Sequence, residues 1–167
     1  MTCYDLHSHS TASDGSLTPE ALIARAIEHN VEVLALTDHD GTEGIEAAKK
    51  AAQGTDLDLI AGVELSVTWG SKTVHIVGLG IDIKNQQLQQ GLTKLRDYRV
   101  GRAEEIAKRL AKAGIEGALD GARKYASDVM LGRLHFAQFL VEQGLAKDNN
   151  DVFKRYLVRN KPGYVPG

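Results

Sequence analysis

The amino-acid sequence predicts an α/β fold, and three observations carry that prediction. Strand-like and helix-like segments alternate through the first part of the chain in the order β-α-β-α-β with short connections, the pattern of parallel strands joined by crossover helices. The second strand, Val31-Glu32-Val33-Leu34-Ala35-Leu36-Thr37, is nearly all apolar, as expected where helices cover both faces of a parallel sheet. From about residue 86 the strand pattern stops and only helical periodicity remains, so a small helical subdomain should follow the α/β unit, with the division expected at 1–99 and 100–167.

Residues 3–9 read as the first strand, entering a loop over 10–16 with Asp14-Gly15 as its turn. Thr18-Pro19 opens a helix, with Thr at the cap and Pro in the first turn. Leu22, Ile23, Ala26 and Ile27 repeat at helical spacing as far as Asn30. After the second strand comes Asp38-His39-Asp40-Gly41-Thr42, where Thr42 is placed to cap a helix running to about Gln53. The third strand lies within 57–67 and the fourth covers 73–79. Only Trp69-Gly70-Ser71-Lys72 separates these two, whereas a parallel crossover needs about a dozen residues, so this pair is expected to form a hairpin. A long helical stretch then runs from 86 to Gly114, with Gly91 and Gly101 as weak points. Ala103, Ile106, Ala107 and Leu110 form its apolar stripe, and Glu104–Lys108 and Glu105–Arg109 are spaced to pair. Shorter helical patterns follow at about 117–127, 133–143 and 149–158, and the closing Lys161-Pro162-Gly163-Tyr164-Val165-Pro166-Gly167 reads as a connector.

With 43% apolar and 25% charged residues, the composition is that of a soluble globular domain. A net charge of -2 gives no basic excess that would call for duplex nucleic acid or an anionic membrane. The single cysteine, Cys3, cannot close an internal disulfide, which fits a reducing compartment, and a small core residue is its expected role. No apolar run approaches the length of a membrane span, and no signal-peptide pattern precedes the first strand, so the cytoplasm is the expected location.

The chemistry begins at Asp5-Leu6-His7-Ser8-His9-Ser10. Side chains at i and i+2 of a strand share a face, so His7 and His9 aim at one point, as two ligands of one metal ion or of adjacent ions would. Asp14 follows in the next loop, His39 lies just beyond the second strand, Glu64 near the end of the third, and His75 inside the fourth. Parallel strands deliver their C-terminal ends to one edge, so these six residues should converge. Each has a plainer reading alone: His75 as a satisfied strand histidine, His39 as a turn residue, and Asp14 as an ordinary loop aspartate before glycine. Glu64 in an apolar strand needs a partner, and the convergence of all six decides for metal. Nitrogen and oxygen donors without a thiol suit Zn, Mn or Fe, with Glu64 available as a bridge between ions. Asp5, Asp38 and Asp40 are candidates to orient an imidazole, with a turn or capping hydrogen bond an equal alternative for Asp38 and Asp40. His29 is expected to meet a helix dipole and Lys49-Lys50 to lie on a solvated face.

On these residues the chain resembles the PHP family, named for its polymerase and histidinol phosphatase members. The matching motifs are Asp5-Leu6-His7-Ser8-His9-Ser10, Leu36-Thr37-Asp38-His39-Asp40-Gly41-Thr42, and Gly62-Val63-Glu64-Leu65-Ser66 with His75. Gly132-Arg133-Leu134-His135-Phe136-Ala137 and the closing segment point to its small metal-dependent phosphoesterases, a subgroup that includes nucleoside 3′,5′-bisphosphate phosphatases and RNase AM-like 5′-to-3′ oligoribonucleases.

The resemblance implies a distorted (β/α)7 barrel with a helical insertion and two or three divalent metal ions, with His7, His9, Asp14, His39, Glu64 and His75 on ligand positions. Family members also carry a later His and an Asp-x-His pair that this chain lacks, so the barrel is expected to be incomplete here and short of at least one metal position. The implied reaction is hydrolysis of phosphate from nucleotides or short oligonucleotides by a metal-activated hydroxide attacking phosphorus in line, with no separate general acid identified. Arg99 and Arg102, at i,i+3 on one helix face, together with Arg133 and His135, are candidates to hold substrate phosphate, which a guanidinium fork fits well. A solvated helix face is an equal alternative for Arg99 and Arg102. The rival functions are a metal-binding module without catalysis, and a histidinol phosphatase or polymerase-linked exonuclease, both of which the helical insertion argues against. An incomplete barrel should expose a strand edge and apolar surface, so self-association is expected.

Overall fold

The computed structural model describes residues 3–70, 72–126 and 131–166. Ser71 of the expected hairpin link and residue 127 of the expected helix at 117–127 lie outside them. The chain divides into two compact units, Met1–Leu95 and Arg96–Gly167.

In the first unit a four-stranded sheet has the order β1 (Tyr4–Ser8), β2 (Val33–Leu36), β3 (Asp58–Trp69), β4 (Lys72–Leu79). β1, β2 and β3 are parallel, and β3 and β4 form the antiparallel hairpin that their short link demands, in register from Gly62↔Leu79 to Trp69↔Lys72. Helix α1 (Pro19–Glu28) starts as expected, with Thr18 Oγ1 accepting from the Ala21 N–H at 3.2 Å, and His29 is its C-cap. Helix α2 (Ile45–Ala52) is not capped by Thr42. Its N-cap is Gly44, because the chain makes one more turn first: the Thr42 N–H donates to Glu43 Oε2 at 2.8 Å and the Thr42 hydroxyl accepts from Gln89 Nε2 at 3.0 Å.

The core of this unit is built by Ile23, Ala26, Leu34, Leu36, Ile45, Ala48 and Leu57, so the apolar run of β2 is explained by its central place between two strands and two helices. Cys3 is exposed, contrary to the core role expected of it. It precedes β1 and is held by its main chain: its carbonyl accepts from the N–H groups of Glu32 and Val33, and its N–H donates to Glu32 Oε1 at 3.3 Å.

Pairing between β1 and β2 shifts register between Asp5 and Ser8. Beyond Leu36 the chain rejoins β3 at a single parallel bridge, His39↔Glu64. There the Glu64 N–H donates to the Asp38 carbonyl at 3.1 Å and the Asp40 N–H donates to the Glu64 carbonyl at 2.9 Å. Asp40 occupies the left-handed region at φ 47° and fixes itself by accepting the Ser66 N–H on Oδ1 at 2.9 Å.

The second unit is helical. Helix α3 (Gln86–Lys112), which crosses the unit boundary, runs through Gly91 and Gly101 without a break. Helices α4 (Ala118–Arg123), α5 (Arg133–Glu142) and α6 (Asn149–Val152) follow, and α6 continues into a π-helical turn, Phe153–Leu157. Ala103, Ile106, Leu110, Ala122, Phe136, Leu140, Val152 and Leu157 form the core, as the stripe on α3 predicts. The packing is close enough that a Cβ on Gly121 would meet the Phe139 ring. The closing segment is not a free connector. Gly163 and Val165 are buried, Arg109 donates to the Tyr164 carbonyl, and Arg102 Nη2 donates to the Val165 carbonyl at 3.4 Å. Among the described residues no helix is long and apolar enough to cross a membrane.

Candidate metal centre

Four imidazoles form a continuous row at the C-terminal side of the parallel strands. His7 lies near the end of β1 and His9 one residue beyond it, with ring centroids 5.0 Å apart. His9 stacks on His39 at 4.7 Å, and His39 meets His75 of β4 edge-on at 5.2 Å. The bridge between His39 and Glu64 brings the end of β2 beside β3, and the hairpin register sets His75 opposite Ser66, two residues beyond Glu64. The six residues singled out in the sequence therefore meet, as their positions on the strands predict.

Glu64 sits at the centre and is only 5% exposed. Its Oε2 lies 2.7 Å from His7 Nε2 and 3.0 Å from His9 Nε2, while Oε1 lies 2.6 Å from His75 Nδ1. One carboxylate thus faces different imidazoles with its two oxygens. Burial alone would raise its pKa, but the His7 hydrogen bond and the nearby His39, His9 and His75 outweigh burial and hold the carboxyl below its ordinary value. Asp14 closes the other side, with Oδ1 3.8 Å from His9 Nδ1 and Oδ2 3.7 Å from His39 Nε2.

Donor atoms gather in three overlapping groups, His7–His9–Glu64, His9–Asp14–His39 and His39–Glu64–His75, with the atoms of each group within 4.8 Å of one another. Ligands at about 2.0–2.1 Å from a tetrahedral Zn²⁺ stand roughly 3.4 Å apart, so this spacing fits a shared cation. His9 Nδ1 is buried without a hydrogen-bond partner, a cost that a bound cation would remove. These residues fit divalent metal, and the nitrogen and oxygen donor set is the type that binds it.

The flanking acids meet hydroxyl and main-chain groups. Asp5 Oδ1 accepts the His7 backbone N–H at 3.4 Å. Asp38 is buried and accepts from Ser10 and Ser13, and Asp40 accepts the Ser66 N–H, bonds that span 25 to 28 residues and are not the turn or capping hydrogen bonds expected as the alternative. Ser10 and Ser13 had no assigned role in the sequence, and the only signal for Ser10 was its place at the end of the His-x-His motif. Lys49 is half exposed and pairs with Glu46 at 3.5 Å on a solvated helix face.

The second unit gathers Arg99, Arg102 and Arg133. Burial lowers the Arg102 pKa to about 10, with Arg133 and Arg99 acting in the same direction. Burial is also the main cause that lowers Arg133, where Tyr164 opposes and Arg99 adds to the shift. Arg102 Nε is buried without a hydrogen-bond partner. The positive charges of the three guanidinium groups thus act on one another within this unit. Arg133 also lies over the Phe153 ring, 6.0 Å from its centroid. His135 is buried, and its Nδ1 accepts the Gly132 N–H at 3.1 Å, which caps α5.

A model of the PHP domain family matches residues 5–156. A 5′-3′ exoribonuclease from Escherichia coli is 52% identical over 98% of this chain and 56% of its own length. A 3′,5′-nucleoside bisphosphate phosphatase from Chromobacterium violaceum is 47% identical over 99% of this chain and 58% of its own. A solved structure described as a metal-dependent phosphoesterase, from Bifidobacterium adolescentis, superposes with a TM-score of 0.88 at 26% identity, over 99% of this chain and 58% of that one. The chain therefore spans little more than half the length of the curated relatives it matches.

Proposed function

The chain belongs to the PHP family, and from that premise we propose that it holds divalent metal at His7, His9, Asp14, His39, Glu64 and His75 and hydrolyses phosphate esters of nucleotides or short RNA. The observation that carries this reading is the position of Glu64, whose two carboxylate oxygens face separate imidazoles within 3.0 Å. A carboxylate so placed would serve two donor groups for ions of the Mn, Zn or Fe type, and the third group, around Asp14, would hold another.

When bound, the metals would supply Lewis acidity toward phosphate oxygens and lower the pKa of an attacking water. The chain's own residues do the rest. His7, His9, His39 and His75 would present ring nitrogens as ligands, and Glu64 and Asp14 would balance the positive charge of the metal. Arg99, Arg102 and Arg133 form the proposed hold for a substrate phosphate, supported by the burial of Arg102 and Arg133 and by the closeness of the positive charges in this group. His135, through its cap on α5, keeps Arg133 at the first position of that helix. The names of the relatives support nucleoside bisphosphates and 5′-terminal RNA as substrates to test. A cytoplasmic setting belongs to the same proposal, as does the assignment of the first unit to metal and the helical unit to substrate.

Self-association is a further part of this reading. Val74, Ile76, Val77 and Leu79 of β4 are all exposed, as are Tyr4 and Leu6 of β1. Two edge strands with apolar side chains in water favour pairing with a second copy of the chain.

The test is to purify the chain, measure bound metals by mass spectrometry, and follow phosphate release from a nucleoside 3′,5′-bisphosphate and a 5′-phosphorylated RNA with and without Mn²⁺. Turnover that needs metal and disappears in His39→Ala is the expected result. Bound metal without turnover would identify a binding module, and turnover indifferent to chelators and to His7→Ala would overturn the proposal.

A further inference from the structure

Asp14 meets the other metal-facing residues only at long distance. It lies on a loop, its side chain is 36% exposed, and its carboxylate reaches His9 and His39 only at 3.8 and 3.7 Å. Its position depends on how the loop before it is tied down, and one buried carboxylate does the tying. Asp38 is 2% exposed, Ser10 0% and Ser13 3%. Asp38 Oδ1 accepts the Ser10 N–H at 2.7 Å and the Ser13 hydroxyl at 2.6 Å, and Oδ2 accepts the Ser10 hydroxyl at 2.7 Å. These are short, charge-assisted bonds out of water, the strong kind. Ser10 passes the constraint on: its carbonyl accepts the Ser13 and Gly15 N–H groups at 3.0 and 2.9 Å, and its hydroxyl accepts the Ala12 N–H at 3.1 Å.

The same residue holds two other parts of the centre. The Asp38 carbonyl accepts the Glu64 N–H, and the next residue in the chain is His39. There is little slack around it. A Cβ on Gly44 would come within 2.9 Å of Asp38 Oδ2, and a Cβ on Gly15 would strike the His9 backbone.

We propose that Asp38 is a positioning residue, a clamp that fixes the Asp14 loop in advance and so sets the affinity of the cation position formed by His9, Asp14 and His39. This rests on the metal reading above. The clamp spares the incoming ion the ordering of a loop, the usual way a residue beyond the ligands raises affinity. Its side chain reaches neither Glu64 nor His75, so the other two positions gain nothing from the carboxylate itself.

The experiment follows Mn²⁺ alone, by calorimetry and by the spin-resonance signal of the free ion, together with amide exchange at Ser13 and Gly15 in the chelated chain. Asp38→Ala should weaken one Mn²⁺ step by about 10- to 100-fold while the others hold, and both amides should exchange faster. Ser13→Ala removes one donor without touching the buried charge, and should shift the same step by less. Asp38→Asn keeps one acceptor oxygen, enough for the Ser10 N–H and the Ser13 hydroxyl but not for the Ser10 hydroxyl, and should recover part of the wild-type affinity and protection. Wild-type affinity in both Asp38→Ala and Ser13→Ala would overturn the clamp. So would equal weakening of every step, or an Asp38→Asn chain as weak as Asp38→Ala, which would assign the effect to charge. No Mn²⁺ uptake by the wild type would instead bring down the metal reading, and the clamp with it.

Discussion

Replacing Glu64 with Gln should damage two metal positions at once, because its oxygens face His7 and His9 on one side and His75 on the other. Structural Zn²⁺ binds with about 10–16 kcal/mol from four ligands, so one ligand is worth roughly 2.5–4 kcal/mol, or about 10²- to 10³-fold in affinity. Glu64→Gln should therefore lower two Zn²⁺ steps by about that factor each. His75→Ala removes a ligand from only one of the three donor groups and should lower one step. Stability of the metal-free chain should fall by less than these binding losses in either variant. Gln fills the same volume, and His7 and His75 have side chains 53% and 45% exposed, so water replaces much of what the carboxylate offered them. Competition against a chromophoric chelator measures the steps, and thermal unfolding in chelator measures the fold. A Glu64→Gln chain that keeps one step at full strength would refute the shared carboxylate, and a His75→Ala chain that weakens both steps alike would refute the division into separate groups.

The acid limb of the metal-free chain provides a second check. Glu64 is held below its ordinary 4.5 when folded, so its contribution is complete above about that pH and is lost as pH falls through the folded value. Thermal midpoints of Glu64→Gln in chelator should thus fall less steeply below pH 4.5 than those of the wild type, and parallel curves would contradict the assignment. Inorganic phosphate should raise the thermal midpoint of the wild type but not of Arg102→Met, and equal protection of the two would exclude the arginine cluster as the anion site. Phe136 is completely buried in the helical unit, so Phe136→Ala should cost about 3–5 kcal/mol in denaturant unfolding, and a cost below about 1 kcal/mol would contradict that packing. Ile76→Lys on the exposed edge of β4 should shift the chain toward monomer in light scattering while leaving Zn²⁺ uptake intact, and unchanged association would locate the contact elsewhere.

Much of the first unit was legible because its signals are local. The apolar run of β2 and the four-residue link before β4 each determine their neighbours without knowledge of the rest of the chain. The convergence of His7, His9, His39, Glu64 and His75 was legible for a related reason, since strand ends in a parallel sheet share an edge. What the sequence could not decide depends on long-range return of the chain. Asp38 finds Ser10 and Ser13 at separations of 28 and 25 residues, and nothing local distinguishes that clamp from a turn hydrogen bond. Thr42 has the right residue type for a cap but spends its hydroxyl on Gln89, 47 positions away. The closing segment, rich in Pro and Gly, reads as a connector, yet Gly163 is there because a Cβ would come within 2.9 Å of Leu110. The grouping of Arg102 with Arg133 likewise joins α3 to α5 across a separation that periodicity does not reach.

The bridge between His39 and Glu64 is made by main-chain atoms, through the Asp38 and Glu64 carbonyls. The spacing of these two side chains is consequently indifferent to most substitutions nearby, because the groups that set it are common to every amino acid. It is sensitive instead to chain length. One residue added or removed between Leu36 and Asp40 would slide the ladder by a step and turn the imidazole away from the carboxylate. Natural or engineered diversity in this stretch should accordingly take the form of replacements, with insertions and deletions confined to the loops on either side.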